Sequence, residues 1–168
     1  MFENIKADFA SYDYDIGAQG FWVMLVYRFG RWRYGIKFII FRKIFSFLYK
    51  VLFKFVQIVT GIEFPCEVEV GSNFKIDHFG GIVVSGYAKF GDNCRIRNGV
   101  VVGLKNINDV VAPVFGNNVD IGAGAKILGR ITIGNNVNIG ANAVVISDVP
   151  DNSIAVGIPA TIKSKRQS

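Results

Sequence analysis

One histidine, His78, stands in a chain of 168 residues, directly after Asp77. A lone imidazole exchanges protons near neutral pH, but it cannot build the three-histidine zinc site on which some enzymes of repeating β architecture depend. Its position says more than its type. Between residues 64 and 145 the sequence repeats every six residues, slips out of register twice, and carries His78 inside the first slip. That combination points to a hexapeptide β-helix with a catalytic site at the slips.

The elements that must hold His78 follow from the register. Apolar residues recur at Phe64, Val70 and Ile76, then at Val84, Phe90, Ile96 and Val102, and again at Ile121, Ile127, Ile133, Ile139 and Val145. Four residues on lies a second column of small or aliphatic side chains: Val68, Phe74, Ala88, Cys94, Val100, Ala125, Ile131, Val137 and Ala143. A strand that turns every six residues needs an inward apolar residue, a small inward neighbour, and a corner residue that tolerates positive φ. Glycine and asparagine supply the corners, as at Gly71, Gly91 and Gly122 and at Asn117, Asn118, Asn135 and Asn136. The second slip, from Val102 to Ile121, is three hexapeptides plus one residue and reads as an excursion from the coil.

The chain holds 19 basic and 13 acidic residues, and the excess is N-terminal: residues 1–61 carry nine Lys or Arg against four acids. No acid occurs between Asp15 and Glu63, while Arg28, Arg31, Arg33, Lys37, Arg42, Lys43, Lys50 and Lys54 punctuate an aromatic and aliphatic stretch. Dense apolar residues over about 20–60 predict two or three helices, with a turn near residues 33–35. Two uses of this segment are open: a helical cap on the end of the coil, and peripheral contact of residues 20–60 with anionic lipid. The longest uncharged run of this segment, residues 16–27, is shorter than the roughly 20 residues of a membrane-spanning helix. Acids at Glu3, Asp8, Asp13 and Asp15 do not suit a signal peptide. Cys94 lies on the inward column and reads as a buried thiol, so a reducing cytoplasm is expected, at the inner face of the membrane if the helices touch it. No nucleic-acid-binding motif is recognisable.

The stretches TGIEFPCEVEVGSNFKIDHFGG (60–81), VDIGAGAKILG (119–129) and VGIPATI (156–162) resemble the serine acetyltransferase branch of the hexapeptide acyltransferases. The resemblance covers about residues 20–163. It implies a mainly β fold: a left-handed parallel β-helix over 62–168, with an extruded loop at 103–118 and a C-terminal tail, preceded by an α-helical region at 1–61. It also implies acetyl-CoA as co-substrate without a metal, and a homotrimer, or a hexamer, with active sites between subunits.

In the family the histidine of the Asp-His pair is the general base, which gives that role to His78. An acid of the first repeat orients it, matching Glu63, and Asp77 matches an acid that helps bind the acceptor. Ala123 and Ala141 match positions that bind the pantetheine arm through backbone groups. Gly103 and Lys105 at the loop, and Lys163 of the basic tail, are the further expected contacts to acetyl-CoA, lysines being suited to its phosphates.

The chain departs from serine acetyltransferases where they carry an Arg-His pair before the proline of the loop; it has Val111-Ala112-Pro113. Without that cation the carboxylate of serine lacks its obvious partner. Phe64-Pro65 and the closing Gln167-Ser168 also differ from that branch. The pattern looks more like the colanic-acid and capsule O-acetyltransferases. The expectation is acetyl transfer to a sugar hydroxyl of a polysaccharide or its precursor, with serine as the alternative acceptor and a non-catalytic trimeric scaffold as the third reading.

Overall fold

The structure, a computed structural model, describes residues 2–106, 108 and 110–165. Parts of the expected loop and tail, including Arg166, Gln167 and Ser168, lie outside the described residues. Three helices come first: α1 (Phe2–Ser11), α2 (Gln19–Arg33) and α3 (Ile39–Thr60). Gly61, in the left-handed conformation, ends α3, and its N–H donates to the Gln57 carbonyl.

Fifteen short strands follow and wind into three parallel sheets. The first contains β1 (Ile62–Glu63), β4 (Ile82–Val84), β7 (Val101–Gly103), β10 (Lys126–Leu128) and β13 (Val144–Val145). A second holds β2 (Glu69–Val70), β5 (Lys89–Phe90), β8 (Val114–Phe115) and β11 (Thr132–Ile133). The third holds β3 (Lys75–Asp77), β6 (Arg95–Arg97), β9 (Asp120–Ile121), β12 (Asn138–Ile139) and β14 (Ser153–Val156), with β15 (Thr161–Ser164) antiparallel at its end. Each turn of the coil visits the three sheets in order.

Both columns read from the sequence face inward. Eleven of the twelve residues of the first are buried and Val70 is partly so; all nine of the second are buried. Burial also pushes the Cys94 thiol above its ordinary pKa, in keeping with a packed side chain.

Register steps locate the slips. Ile62 pairs with Ile82, a step of 20; Val83 with Val101, 18; Val101 with Lys126, 25; and Lys126 with Val144, 18. An undisturbed turn is therefore three hexapeptides, the first slip adds two residues and the second adds seven. The second excursion is shorter than the expected 103–118. Gly103 still belongs to β7, and Val114–Phe115 already form β8, so the described residues between them are the ones that leave the strands. Phe115 is buried and stacks on Phe90 with centroids 4.4 Å apart, and this contact pulls the chain back to the coil early.

One corner is an asparagine ladder. The amide of Asn73 donates to Asn93, Asn93 to Asn118, Asn118 to Asn136 and Asn136 to Asn152, at 3.0–3.1 Å. All five have φ of 55–56°, which asparagine tolerates better than other residues with a Cβ. Replacing Asn118 by Ala should cost about 1–2 kcal/mol in urea unfolding, and Asn118→Gly less, because glycine removes the backbone strain but not the lost amide bonds. Equal losses in the two variants would show that the backbone conformation contributes nothing.

The open end of the first turn is covered by α2 and by tyrosine hydroxyls. Tyr27 Oη donates to the Val68 carbonyl, Tyr49 Oη accepts from Cys66 N, and Tyr12 Oη accepts from Ile76 N, each at 2.9 Å. These bonds satisfy edge groups that have no strand beyond them. Gly30 lets α2 approach closely, since a Cβ there would stand 2.5 Å from Cys66 Cβ. Capping by helices, one of the two uses open from sequence, is thus what α2 does.

Candidate active site

The first slip is a two-residue bulge at one corner of the coil. Asp77 pairs with Arg97, and Gly81 stands beside Gly99, so His78, Phe79 and Gly80 occupy the space that the next turn fills with Asn98 alone. The insertion adds a left-handed residue at His78, φ 62°, ahead of Gly81, which keeps the left-handed conformation that the following turns place on Gly99, Gly124 and Asn142. A non-glycine residue held there by its surroundings is a mark of functional sites.

This left-handed turn decides where Asp77 points. Adjacent strand residues alternate sides, and a continuous strand would send Asp77 and His78 apart. Strand β3 instead ends at Asp77, and both residues line one cavity of about 470 Å³ with Tyr12, Asp13, Gln19 and Lys75. The Asp77 carboxylate accepts from Arg95 Nε at 2.8 Å and lies 4.0 Å from Lys75 Nζ. His78 is exposed at the cavity wall. Tyr12, also lining the cavity, is buried with its hydroxyl on the Ile76 backbone; desolvation lifts its phenol pKa well above the ordinary value, so it stays neutral and serves as a hydrogen-bonding group.

Glu63 lies on β1, the strand that opens the same turn. Its Oε2 accepts from Gln57 Nε2 at 2.8 Å, and Gln57 Oε1 in turn accepts from Lys54 Nζ at 2.6 Å. Among the described residues no hydrogen bond joins Glu63 to His78.

The corner occupied by His78 continues along the coil. Asn98, Ala123 and Ala141 take the equivalent place in the next three turns, tied by bonds from Gly124 N to the Asn98 carbonyl and from Asn142 N to the Ala123 carbonyl. Lys126 Nζ reaches the Gly99 and Gly124 carbonyls on the same corner, at 2.5 and 3.0 Å. At a strand spacing of about 4.8 Å, Ala141 stands about 14 Å from the His78 turn.

The remaining expected contacts fall elsewhere. Gly103 and Lys105 lie at the neighbouring corner, where Lys105, Asn106, Leu128, Arg130 and Ile146 border a second cavity of about 440 Å³. Lys163 sits on β15 at the far end of the third sheet, paired with Ile154. Within one protomer the structure therefore brings together His78 and Asp77, aligns Ala123 and Ala141 with them, and leaves Gly103, Lys105 and Lys163 apart. Among the described residues no group of three or more His, Cys, Asp or Glu side chains is placed to hold a metal.

Sequence reasoning missed Tyr12, Gln19 and Lys75 as walls of the cavity. Tyr12 lies 64 residues from its partner Ile76, and no local period could have joined them. Lys75 carried a signal that went unread: it stands two residues before Asp77, on the same side of the strand.

Comparison with known proteins agrees with this fold. The family described as "Bacterial transferase hexapeptide (six repeats)" matches residues 112–147. A serine acetyltransferase of Synechococcus elongatus is 34% identical over 174 residues, covering 96% of this chain and 68% of that protein. An Escherichia coli protein named "Putative colanic acid biosynthesis acetyltransferase WcaB" is 40% identical over 103 residues, covering 61% of this chain and 64% of its own. The crystal structure of a Brucella abortus serine acetyltransferase with coenzyme A superposes with a TM-score of 0.82 at 27% identity, covering 98% of this chain and 68% of that one.

The expected left-handed parallel β-helix with a short N-terminal helical region holds. The expectation of a pattern nearest to the capsule enzymes is corrected in weight, because the serine acetyltransferase match extends over nearly the whole chain and the colanic-acid match does not. The chain belongs to the hexapeptide-repeat transferases, as an acyltransferase homologous to the serine acetyltransferases.

Proposed function

We propose that the chain transfers the acetyl group of acetyl-CoA directly to a hydroxyl, with His78 as general base and serine as acceptor. The observation that carries this reading is the left-handed bulge that aims His78 into a cavity at the head of the corner running through Ala123 and Ala141. Bound acetyl-CoA supplies an acyl group activated as a thioester. The imidazole of His78 takes the proton of the acceptor hydroxyl as its oxygen attacks, and gives it to the departing sulfur. No side chain of the protein is acylated.

Along the corner, the small side chains of Ala123 and Ala141 leave room for an extended pantetheine arm to lie against the backbone. Lys105 borders the neighbouring corner, and Lys163 lies on β15 beyond the last parallel strand of the third sheet. In a homotrimer with sites between subunits, the neighbouring-corner cavity at Lys105 would face the Ala123–Ala141 corner of the next copy, and the lysines would meet the phosphates. Glu63, held by Gln57, orients His78 only if a bound substrate shifts that contact; Asp77, braced by Arg95, is the acceptor's hydrogen-bonding partner.

Serine needs a cation for its carboxylate, and the loop provides none at Val111-Ala112-Pro113. Lys75 fills this requirement from within the cavity. Replacing Lys75 by Met should raise KM for serine about tenfold or more with kcat little changed, the pattern of a lost binding contact. An unchanged KM would remove serine's carboxylate from that position.

A second reading is favoured by one specific observation. Ala112 and Pro113 are buried, so the loop offers an uncharged, packed wall where serine-specific enzymes place their Arg-His pair. That wall suits a neutral sugar hydroxyl of a capsular polysaccharide or precursor. Initial rates with serine and with a capsular oligosaccharide, offered side by side, separate the readings: a strong preference for the oligosaccharide overturns serine and keeps the base.

A further inference from the structure

Helix α3 has two faces with different fates. Tyr49, Val56 and Thr60 are buried against α2 and the first strand of the coil. On the opposite side Ile40, Ile44, Phe47, Val51, Phe55 and Ile58, spaced by three or four residues, form one continuous stripe at 50–75% exposure. The stripe runs most of the length of a 22-residue helix, about 33 Å. Capping uses the first face and leaves the second without a role.

Charge identifies what the second face meets. Lys43, Lys50 and Lys54, at spacings of seven and four, follow one flank of the stripe, and all three are exposed. No acid occurs from residue 16 to residue 62, against eight Lys or Arg. Packing two copies of α3 stripe to stripe would set these lysines against one another with no carboxylate on either helix to offset them. An anionic phospholipid surface matches both features, accepting the apolar stripe below the headgroups and pairing the lysines with phosphates. Among the described residues no helix is long and apolar enough to cross a membrane, and the buried face of α3 is already taken by protein, so the helix lies in the plane of the surface.

We propose that the outer face of α3 is a peripheral docking surface for anionic lipid bilayers, independent of which acceptor the enzyme uses. The expected contact over residues 20–60 thereby narrows to α3, since α2 is spent on capping. Its test is co-sedimentation of the full chain with vesicles of phosphatidylcholine alone and of phosphatidylcholine and phosphatidylglycerol in equal parts. Binding to the anionic vesicles should exceed binding to the neutral ones by about tenfold or more and weaken steeply as salt is raised.

The double variant Phe47→Ser/Phe55→Ser should lose about tenfold in binding to the anionic vesicles, and Lys43→Glu/Lys50→Glu/Lys54→Glu should lose the preference for anionic lipid. Sedimentation velocity on wild type and both variants should give the same subunit assembly. Absence of wild-type binding, equal binding to both vesicle types, or a smaller assembly in either variant overturns the proposal, the last by showing the face to be a contact between copies. Circular dichroism confirms folding of the variants, and the salt dependence of the wild type tests the charge argument even if a variant fails to fold.

Discussion

Replacing His78 by Ala should lower kcat for acetyl transfer by about 10²–10⁴-fold, the usual contribution of a positioned general base. Binding of acetyl-CoA, followed by calorimetry, should hardly change, because the arm is proposed to lie along Ala123 and Ala141 and not on the imidazole. The two readouts together separate chemistry from folding. The left-handed φ of 62° at position 78 adds a sharper control: His78→Gly relieves the backbone strain and should be at least as stable as wild type, yet as inactive as His78→Ala. Activity retained in the glycine variant would mean that the bulge, and not the imidazole, serves the reaction.

The second large effect is expected in the core. Phe64, Phe74, Phe90 and Phe115 form a column of rings through the first three turns, with centroid separations of 5.2, 5.0 and 4.4 Å. Phe90 touches a ring on either side and is 5% exposed. Phe90→Ala removes both contacts and opens a cavity between turns that cannot collapse, because asparagine bonds and paired strands fix their spacing. A loss of about 3–5 kcal/mol in urea unfolding is expected. Phe90→Leu should cost less than half of that, since it keeps most of the volume. The same column returns the chain to the coil at Phe115 after the excursion, so the alanine variant should also raise amide exchange over residues 104–113 beyond the change elsewhere. Uniform exchange across the coil would detach Phe115 from that role.

The coil was legible in the sequence because each turn repeats one local rule: an apolar residue, a small one four positions on, and a corner that tolerates positive φ. Both slips were legible for the same reason, as breaks in a strict period. The length of the second was not, since the period alone could not show that Phe115 rejoins the column by stacking on Phe90. Contacts across the chain were hidden as well. Tyr12 capping Ile76, Tyr27 capping Val68 and Gln57 holding Glu63 join segments of different periodicity. The relation of Asp77 to His78 depended on one backbone angle that alternation along a strand would have placed wrongly. Lys75 is instructive in another way: the missing loop cation was visible in the sequence, whereas a lysine lining the cavity beside Asp77 went unread.

The central claim is acetyl transfer from acetyl-CoA to a hydroxyl by the His78 cavity. Its most direct test is release of free CoA thiol by the wild-type protein, followed with serine, with a capsular oligosaccharide, and with neither. Release should require one of the two acceptors and be accompanied by an acetate ester on that acceptor. Thiol release at the same rate without acceptor, or none with either, would contradict it.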